Sequence, residues 1–462
     1  MNDAFLPGAE SPLYPPTVRG PKTALPMWRF LPTFIRNPLK AIPEPVYHEP
    51  IYLPATMRGR MAWVTDPALV EQILLDDHED FPKSPIEKRV FERIIGDGIL
   101  TSEGATWRWQ RHAVAPLFRH GEILASVPAM ADAAERMVSR WRATPAMTRR
   151  NIYHDMTDAT FDVLASTIFA GATDGEADIL KTAIGDYLER TSWDIAYEIL
   201  KLPVWVWHPA KARMMRAARR LTGTMQEIIR RERSKGWPGG GLMARLGAAT
   251  HPETGRPMSD AQMSHNLLTF AAAGHETTAK ALTWALYLLA RSPDWQRKLR
   301  AEVKHVAGVE PITAAHIEKL VLTRQVIKEA MRLYPPAPVM GRMARRDVVV
   351  GGHTFGAGAM LVIPIFVIHR HRRLWDDPDC FNPARFESER EKRLKRTQFM
   401  PFGFGPRTCI GMSFAMIEAV VLLAHFVRNA RFACDSDLAP EPLSRVTLRP
   451  KSGMPLAVEM IA

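Results

Sequence analysis

Three cysteines occur in the 462-residue chain, Cys380, Cys409 and Cys434, and one of them has surroundings suited to metal chemistry. The stretch Phe402-Gly403-Phe404-Gly405-Pro406-Arg407-Thr408-Cys409-Ile410-Gly411 is a Gly/Pro loop running into an apolar helical segment. A lone cysteine is ordinarily a small buried hydrophobe. A helix N-terminus, however, offers its dipole and free N–H groups to a thiolate, which is the form that binds metal. Gly405 can take positive φ in the turn, Gly411 leaves room for a flat cofactor near the backbone, and Phe402 can shield the sulfur. Arg407 adds a fixed positive charge suited to a carboxylate.

Three other patterns carry possible chemistry. Glu329-Ala330-Met331-Arg332 sets a carboxylate and a guanidinium on one helix face, ordinarily a weak surface pair. In Ala273-Gly274-His275-Glu276-Thr277-Thr278, Gly274 costs about 1 kcal/mol relative to alanine inside a helix and so marks close packing or access for a ligand. Trp107 and Arg111, four apart, share a helix face on which an indole N–H and a guanidinium can both bind a carboxylate.

The elements that must hold these residues are mostly helical. Twelve prolines between Pro7 and Pro54 predict an extended, turn-rich arm over residues 1–54. Met61 to Thr65 reads as a strand, and Asp66-Pro67 as the capped start of a helix. Helical periodicity dominates from Ala105 to Glu310, with stops at Pro145, Pro203, the Pro238–Gly241 stretch and Pro293. Strands are expected at Val348 to Val350 and Met360 to Ile363, then a helix from Ser413 to Val427 and a short tail. The 266–290 run is apolar, but His275, Glu276 and Lys280 at its middle suit a buried helix and not a membrane span. His275 is read as a packed or solvated histidine, not a metal ligand.

Lys and Arg total 61 against 49 acidic residues, a formal charge of +12 that favours acidic partners or a solvated basic surface. Few cysteines in odd number suit a reducing compartment. Neither a signal peptide nor an N-terminal anchor is apparent, so a soluble cytoplasmic protein without a membrane span is expected. The basic residues are dispersed, which argues against nucleic acid.

The 402–411 loop resembles the haem-binding loop of the cytochromes P450, with Phe402, Gly405, Arg407, Cys409 and Gly411 at its diagnostic positions. The resemblance implies haem b (iron protoporphyrin IX), with Cys409 as the axial thiolate that pushes electron density onto iron. It implies a buried Glu329-x-x-Arg332 locked to Arg385 of Pro383-Ala384-Arg385-Phe386, where Ala384 replaces a common glutamate, as a structural network holding the loop. Trp107, Arg111 and Arg342 would hold the haem propionates. Gly274 would lie in the oxygen-binding groove, with Glu276 and Thr277 relaying protons. The substrate pocket would be lined by Phe81 to Thr101, by Ala272 and Ala273, and by Pro338 to Met340, Val339 included.

The implied fold is one triangular, mainly α domain over residues 55–462 with a minor β portion. The implied activity is insertion of one oxygen atom from O2 into a small apolar substrate. No flavin or iron–sulfur segment is visible, so electrons are expected from a ferredoxin or flavodoxin-type donor with its reductase, or from peroxide. A peroxygenase or haem-thiolate isomerase would not need the Glu276-Thr277 pair. A non-catalytic haem sensor would need an attached signalling region.

Overall fold

The computed structural model describes residues 12–461 except 58, 146, 170–171, 204 and 238–240, so most of the Pro238–Gly241 stop lies outside the described residues. Eleven helices carry the argument: α1 (Met27–Arg36), α2 (Gly104–Val114), α3 (Val127–Arg142), α4 (Ile152–Thr167), α5 (Asp174–Leu188), α6 (Ser192–Ile199), α7 (Lys211–Ser234), α8 (Asp260–Ala290), α9 (Pro293–Ala307), α10 (Val321–Leu333) and α11 (Met412–Asn429). Strands β1 (Ile51–Tyr52), β2 (Met61–Val64), β7 (Met360–Ile363) and β4 (Met340–Met343) form one sheet in that order. β2 and β7 run parallel; the other pairs are antiparallel. The fold is mainly α with a minor β part, as expected.

α8 is the axis of the structure. Ser259 and Gln262 close a capping box at its start, satisfying two otherwise orphaned N–H groups. Its sides pack against α4, α7, α10 and α11. The run from Leu282 to Leu289 is completely buried, which removes that part of the helix from water and fixes its orientation. α11 is the one described helix long and apolar enough to cross a membrane, but it is mostly buried between α3, α8, α9 and α10.

Several short elements were not legible from pattern. β3 (Thr148–Asn151), β11 (Pro455–Met460) and β8 (Ala430–Ala433) form a second sheet, and β9 (Pro442–Ser444) pairs with β10 (Leu448–Pro450), so the expected short tail is largely strand. β5 (Val348–Val350) pairs with β6 (His353–Phe355). β3, β8 and β11 are held by partners remote in sequence, a tertiary effect that local propensity does not carry, whereas β9 with β10, and the expected β5 with β6, are local hairpins of three-residue strands. The Pro-rich arm also differs from the extended reading, because ten residues of it coil into α1 with Pro32 inside. Proline removes one intrahelical donor there, and the helix rests against α6.

Candidate active site

Cys409 sits three residues before α11, on a loop whose shape is set by backbone. Gly403 and Gly405 both have φ of +75°. A Cβ on Gly405 would collide with the Leu74 carbonyl, so only glycine fits. The Cys409 N–H donates to the Phe402 carbonyl at 2.9 Å, closing the loop, and the Thr408 hydroxyl donates to the Gly405 carbonyl at 2.7 Å. Phe402 packs partly against the core, and Gly411 would hold a Cβ 3.9 Å from the Cys409 sulfur, so nothing crowds the thiol from that side.

Burial pushes the Cys409 thiol above its ordinary pKa, and the Gly411 N–H and the Arg111 guanidinium offset this only in part. A bound metal ion would favour the thiolate form. Cys409 nonetheless exposes surface to solvent-sized space while protein surrounds it. Both hold for a residue lining an internal cleft.

α8 also has an open face. Ala271, His275, Glu276 and Thr278 are buried, but Ala273 between them is exposed and Ala272 and Thr277 are half-exposed. Ala273 and Thr277 are one turn apart, so they share a face. The Thr277 hydroxyl donates to the Ala273 carbonyl at 2.7 Å. Gly274 points elsewhere: a Cβ on it would lie 3.1 Å from Leu164 of α4. Of its two readings, close helix packing is the one this contact supports, while Gly274 itself is half-exposed like Ala272 and Thr277. His275 is packed, with its Nδ1 2.7 Å from the Ala271 carbonyl and its ring edge-on to Phe161.

Glu276 does not join Thr277. Its carboxylate lies 2.6 Å from the Lys280 ammonium and accepts a hydrogen bond from the Thr447 hydroxyl at 3.1 Å, and Lys280 also donates to Thr447. Burial pushes the Glu276 carboxyl up, but Lys280, His275 and Thr447 together outweigh it and hold it below the usual carboxylate range. Lys280 and Thr447 were missed by sequence reasoning; the i,i+4 spacing of Glu276 and Lys280 was the available signal.

A cluster of cations extends from Arg111, which lies near Cys409. Arg407 stacks on the Trp107 ring at 3.8 Å and Arg111 lies over the same ring at 5.7 Å. Arg407 donates to the Ser102 carbonyl at 3.0 Å and pairs with Glu103, while Arg342 is 3.7 Å from Glu87. Lys83, unforeseen from sequence, is pushed down to about 8 by burial, with Arg407 and Arg342 adding to the effect. Four cations against two carboxylates leave the cluster short of negative charge, so it suits a dianion.

The loop is braced from behind. Arg332 grips Glu329 through two bonds of 2.7 and 2.8 Å, with both side chains fully buried. It also donates to the carbonyls of His369, Pro378 and Cys380, while Glu329 accepts from the Asn382 N–H and Arg385 stands 3.6 Å away. Packing of α10 on the 383–386 turn thus buries Glu329 and Arg332, unlike an ordinary surface pair. His369 carries the brace to the loop: its Nε2 accepts from the Met400 N–H at 3.0 Å, and the Gly403 N–H donates to the Met400 carbonyl. Burial and Arg332 push this imidazole down to about 3, so Nε2 remains an acceptor.

The model of the family named Cytochrome P450 matches residues 34–456. The chain belongs to the cytochrome P450 family. It is 31% identical to cyclooctatin synthase of Streptomyces melanosporofaciens, over 88% of this chain and 84% of that one. The cyclooctat-9-en-7-ol 5-monooxygenase of the same organism is 30% identical over 78% of this chain and 77% of its own length. The solved cytochrome P450DA heme domain superposes with a TM-score of 0.79 at 24% identity, covering 96% of this chain and 98% of that one, which shows the fold. Membership makes this P450 a haem enzyme and an oxidoreductase of the monooxygenase kind. The residues present fit the haem: an accessible sulfur on a glycine-shaped loop, an open face on α8, and a cation cluster short of negative charge.

Proposed function

We propose that this P450 uses haem b to insert one oxygen atom of O2 into an apolar organic substrate. Electrons come from a ferredoxin or flavodoxin-type donor with its reductase, in the cytoplasm, with residues 55–462 as the catalytic domain behind the 1–54 arm. The observation that carries this reading is the accessible Cys409 sulfur within reach of the Arg111 field, at the start of α11. The bound haem supplies O2 activation, tuned by its thiolate ligand.

The chain's own residues do the rest. Cys409 provides the ligand, and Gly411 N–H and Arg111 moderate its charge. Trp107, Arg111, Arg342 and Arg407 would hold the haem propionates, beside Glu87 and Glu103, which now pair with Arg342 and Arg407. Phe402 keeps water from the sulfur. Glu329, Arg332 and Arg385, through His369, keep the loop in place. Thr277 offers a hydroxyl on the open face of α8 and can hold a water there. Glu276 holds the proton-donating position one residue away, and it must exchange Lys280 for that water before a proton moves. Ala272, Ala273 and Val339 are the substrate-lining candidates. Two relatives are named for action on cyclooctat-9-en-7-ol and 11-oxo-beta-amyrin, which supports an apolar substrate.

The decisive experiment is the carbon monoxide spectrum of the reduced protein. A thiolate mixes into the haem transitions and shifts the Soret band to the red. Cys409→His is expected to abolish the shift, whereas Cys380→Ser and Cys434→Ser retain it. A retained band in Cys409→His overturns the assignment. Spin-state shifts across alkanes, fatty acids, terpenes and aromatics then identify the substrate class.

A further inference from the structure

Four arginines from two parts of the chain converge on one concavity. Arg213, Arg216 and Arg220 of α7 and Arg190, just past the end of α5, line a pocket of about 280 Å³. Ala183, Ala217 and Asp186 complete the lining. Both alanines are buried, so small side chains form the inner part of the pocket and leave room between the guanidiniums. Arg213, Arg216 and Arg220 stand at i, i+3 and i+7, which places them on one face of α7.

Folding does not account for this charge. The later part of α7 pairs its arginines: Arg230 with Glu227 at 2.6 Å, Arg231 with Glu176 at 2.6 Å and Arg233 with Asp260 at 2.5 Å. The first ten residues of the helix do the opposite. Lys211, Arg213, Arg216, Arg219 and Arg220 crowd into them, and no Asp or Glu occurs between Glu198 and Glu227. None of those four arginines forms an ion pair among the described residues. At spacings of three and four they repel one another, and Arg213, in the first turn, also meets the positive end of the helix dipole. Arg190 alone in the pocket has a carboxylate, donating to Asp186 at 3.1 Å, while the neighbouring Glu189 is taken by Arg449 at 2.9 Å. One carboxylate facing four guanidiniums leaves a large excess of positive charge.

The chemistry of the lining selects the ligand. A guanidinium presents parallel N–H donors that match phosphate oxygens bidentately. The volume is just under the roughly 300–1,000 Å³ of pockets that enclose drug-sized molecules, which suits a small ionic group. A singly charged anion leaves most of the pocket's charge unmet, and two or three linked phosphates meet it. No aromatic side chain lines the pocket, so it lacks the stacking platform on which single-stranded nucleic acid is held.

We propose that Arg190, Arg213, Arg216 and Arg220 form a binding site for a soluble di- or triphosphate group, seated between α5 and α7. The ligand bridges the two helices, and α7 in turn packs on α8, so occupancy stabilises the folded protein by mass action.

Isothermal titration calorimetry of the haem-loaded full chain at constant ionic strength tests this, with inorganic tripolyphosphate as the probe. Tripolyphosphate is expected to bind once per chain, about tenfold or more tighter than orthophosphate, and to raise the melting temperature as its concentration rises. Arg216→Gln and Arg213→Gln/Arg220→Gln are each expected to weaken it by about tenfold, the loss of a charge-assisted bond. Arg230→Gln, which removes an arginine paired outside the pocket, should leave the affinity unchanged. Without ligand the pocket variants should melt no lower than the parent, since they relieve like-charge repulsion, and this separates lost binding from lost folding. Orthophosphate binding as tightly as tripolyphosphate overturns the proposal, as does equal affinity in the parent and the pocket variants. A hexaglutamate peptide that binds equally well overturns it in favour of an acidic protein partner. Displacement of tripolyphosphate by phosphatidylglycerol vesicles at equal phosphate concentration overturns it in favour of a lipid headgroup.

Discussion

Glu276 and Lys280 stand one turn apart on α8, joined by a 2.6 Å ion pair whose two side chains are almost completely buried. Two charges taken out of water are stable only while each has the other. Lys280→Met is therefore expected to cost about 3–5 kcal/mol, the usual loss when one partner of a buried pair is removed. The double variant Glu276→Gln/Lys280→Met should recover most of that loss, because no charge is left unpaired. Urea unfolding of the four members of this cycle measures the coupling. Equal losses in the single and double variants would show that Lys280 acts by packing alone.

The hydroxyl of Thr277 lies on the accessible face of α8 and is satisfied by the Ala273 carbonyl. Its replacement removes a water-positioning group without opening a core cavity. Thr277→Ala is expected to keep haem and substrate affinity while reducing equivalents are diverted to peroxide. Product formed per electron should fall severalfold, with reductant consumption largely preserved. The ratio of product to peroxide at fixed reductant use gives the answer, and an unchanged ratio removes Thr277 from proton delivery.

What the sequence could and could not disclose follows from the range of the interactions. The Cys409 loop was legible because its glycines answer local backbone demands, as the positive φ of Gly405 bears out. α8 and α11 were legible because both are long and apolar. Glu329 and Arg332 looked like a surface pair because nothing within a few residues reveals that the 369–382 segment folds over them. Lys83 and Thr447 reach the site from 17 residues or more away through pairings such as the Lys83–Arg342 bridge, which no periodicity encodes. Of the strands after α11, β11 is invisible because it pairs with remote β3, and β9 and β10, though a local hairpin, are only three residues each.

Glu418 on α11 is buried, and burial pushes its carboxyl up to about 8, with only the Thr278 hydroxyl opposing. The folded protein thus keeps this proton while the unfolded chain releases it near the ordinary glutamate value. The group's contribution to stability is full below the unfolded pKa, declines as pH rises, and is lost by pH 8. One retained proton corresponds to a slope of about 1.4 kcal/mol per pH unit across that window. Glu418→Gln keeps the shape without a titrating proton, so it should flatten this part of the profile and be more stable than the parent at pH 8. Urea unfolding at intervals from pH 5 to pH 9 reads the difference in slope. Parallel profiles for parent and variant would mean that Glu418 ionises normally.

The proposed electron donor meets a surface that can be tested directly. Lys392, Arg393, Lys395 and Arg396 are exposed, and Arg396 lies over the Phe404 ring at 5.1 Å, next to the Cys409 loop. Arg108 and His112 are exposed on α2 and border a groove of about 690 Å³ shared with Arg245 and His251. Lys392 is paired with Glu389 and Arg396 with Glu71, both at exposed positions where such pairs contribute little and partners can displace them. An acidic ferredoxin steered to this patch should associate more slowly as salt rises, since a Debye length of ~8 Å at physiological ionic strength screens the attraction. Lys392→Glu/Lys395→Glu/Arg396→Glu is expected to slow first-electron transfer about tenfold or more at low salt, within the range by which steering raises association rates. Substrate affinity should not change. Stopped-flow reduction across ionic strength is the measurement: a flat, slow profile for the variant is expected, and rates equal to the parent's at every salt concentration would move the donor to another face.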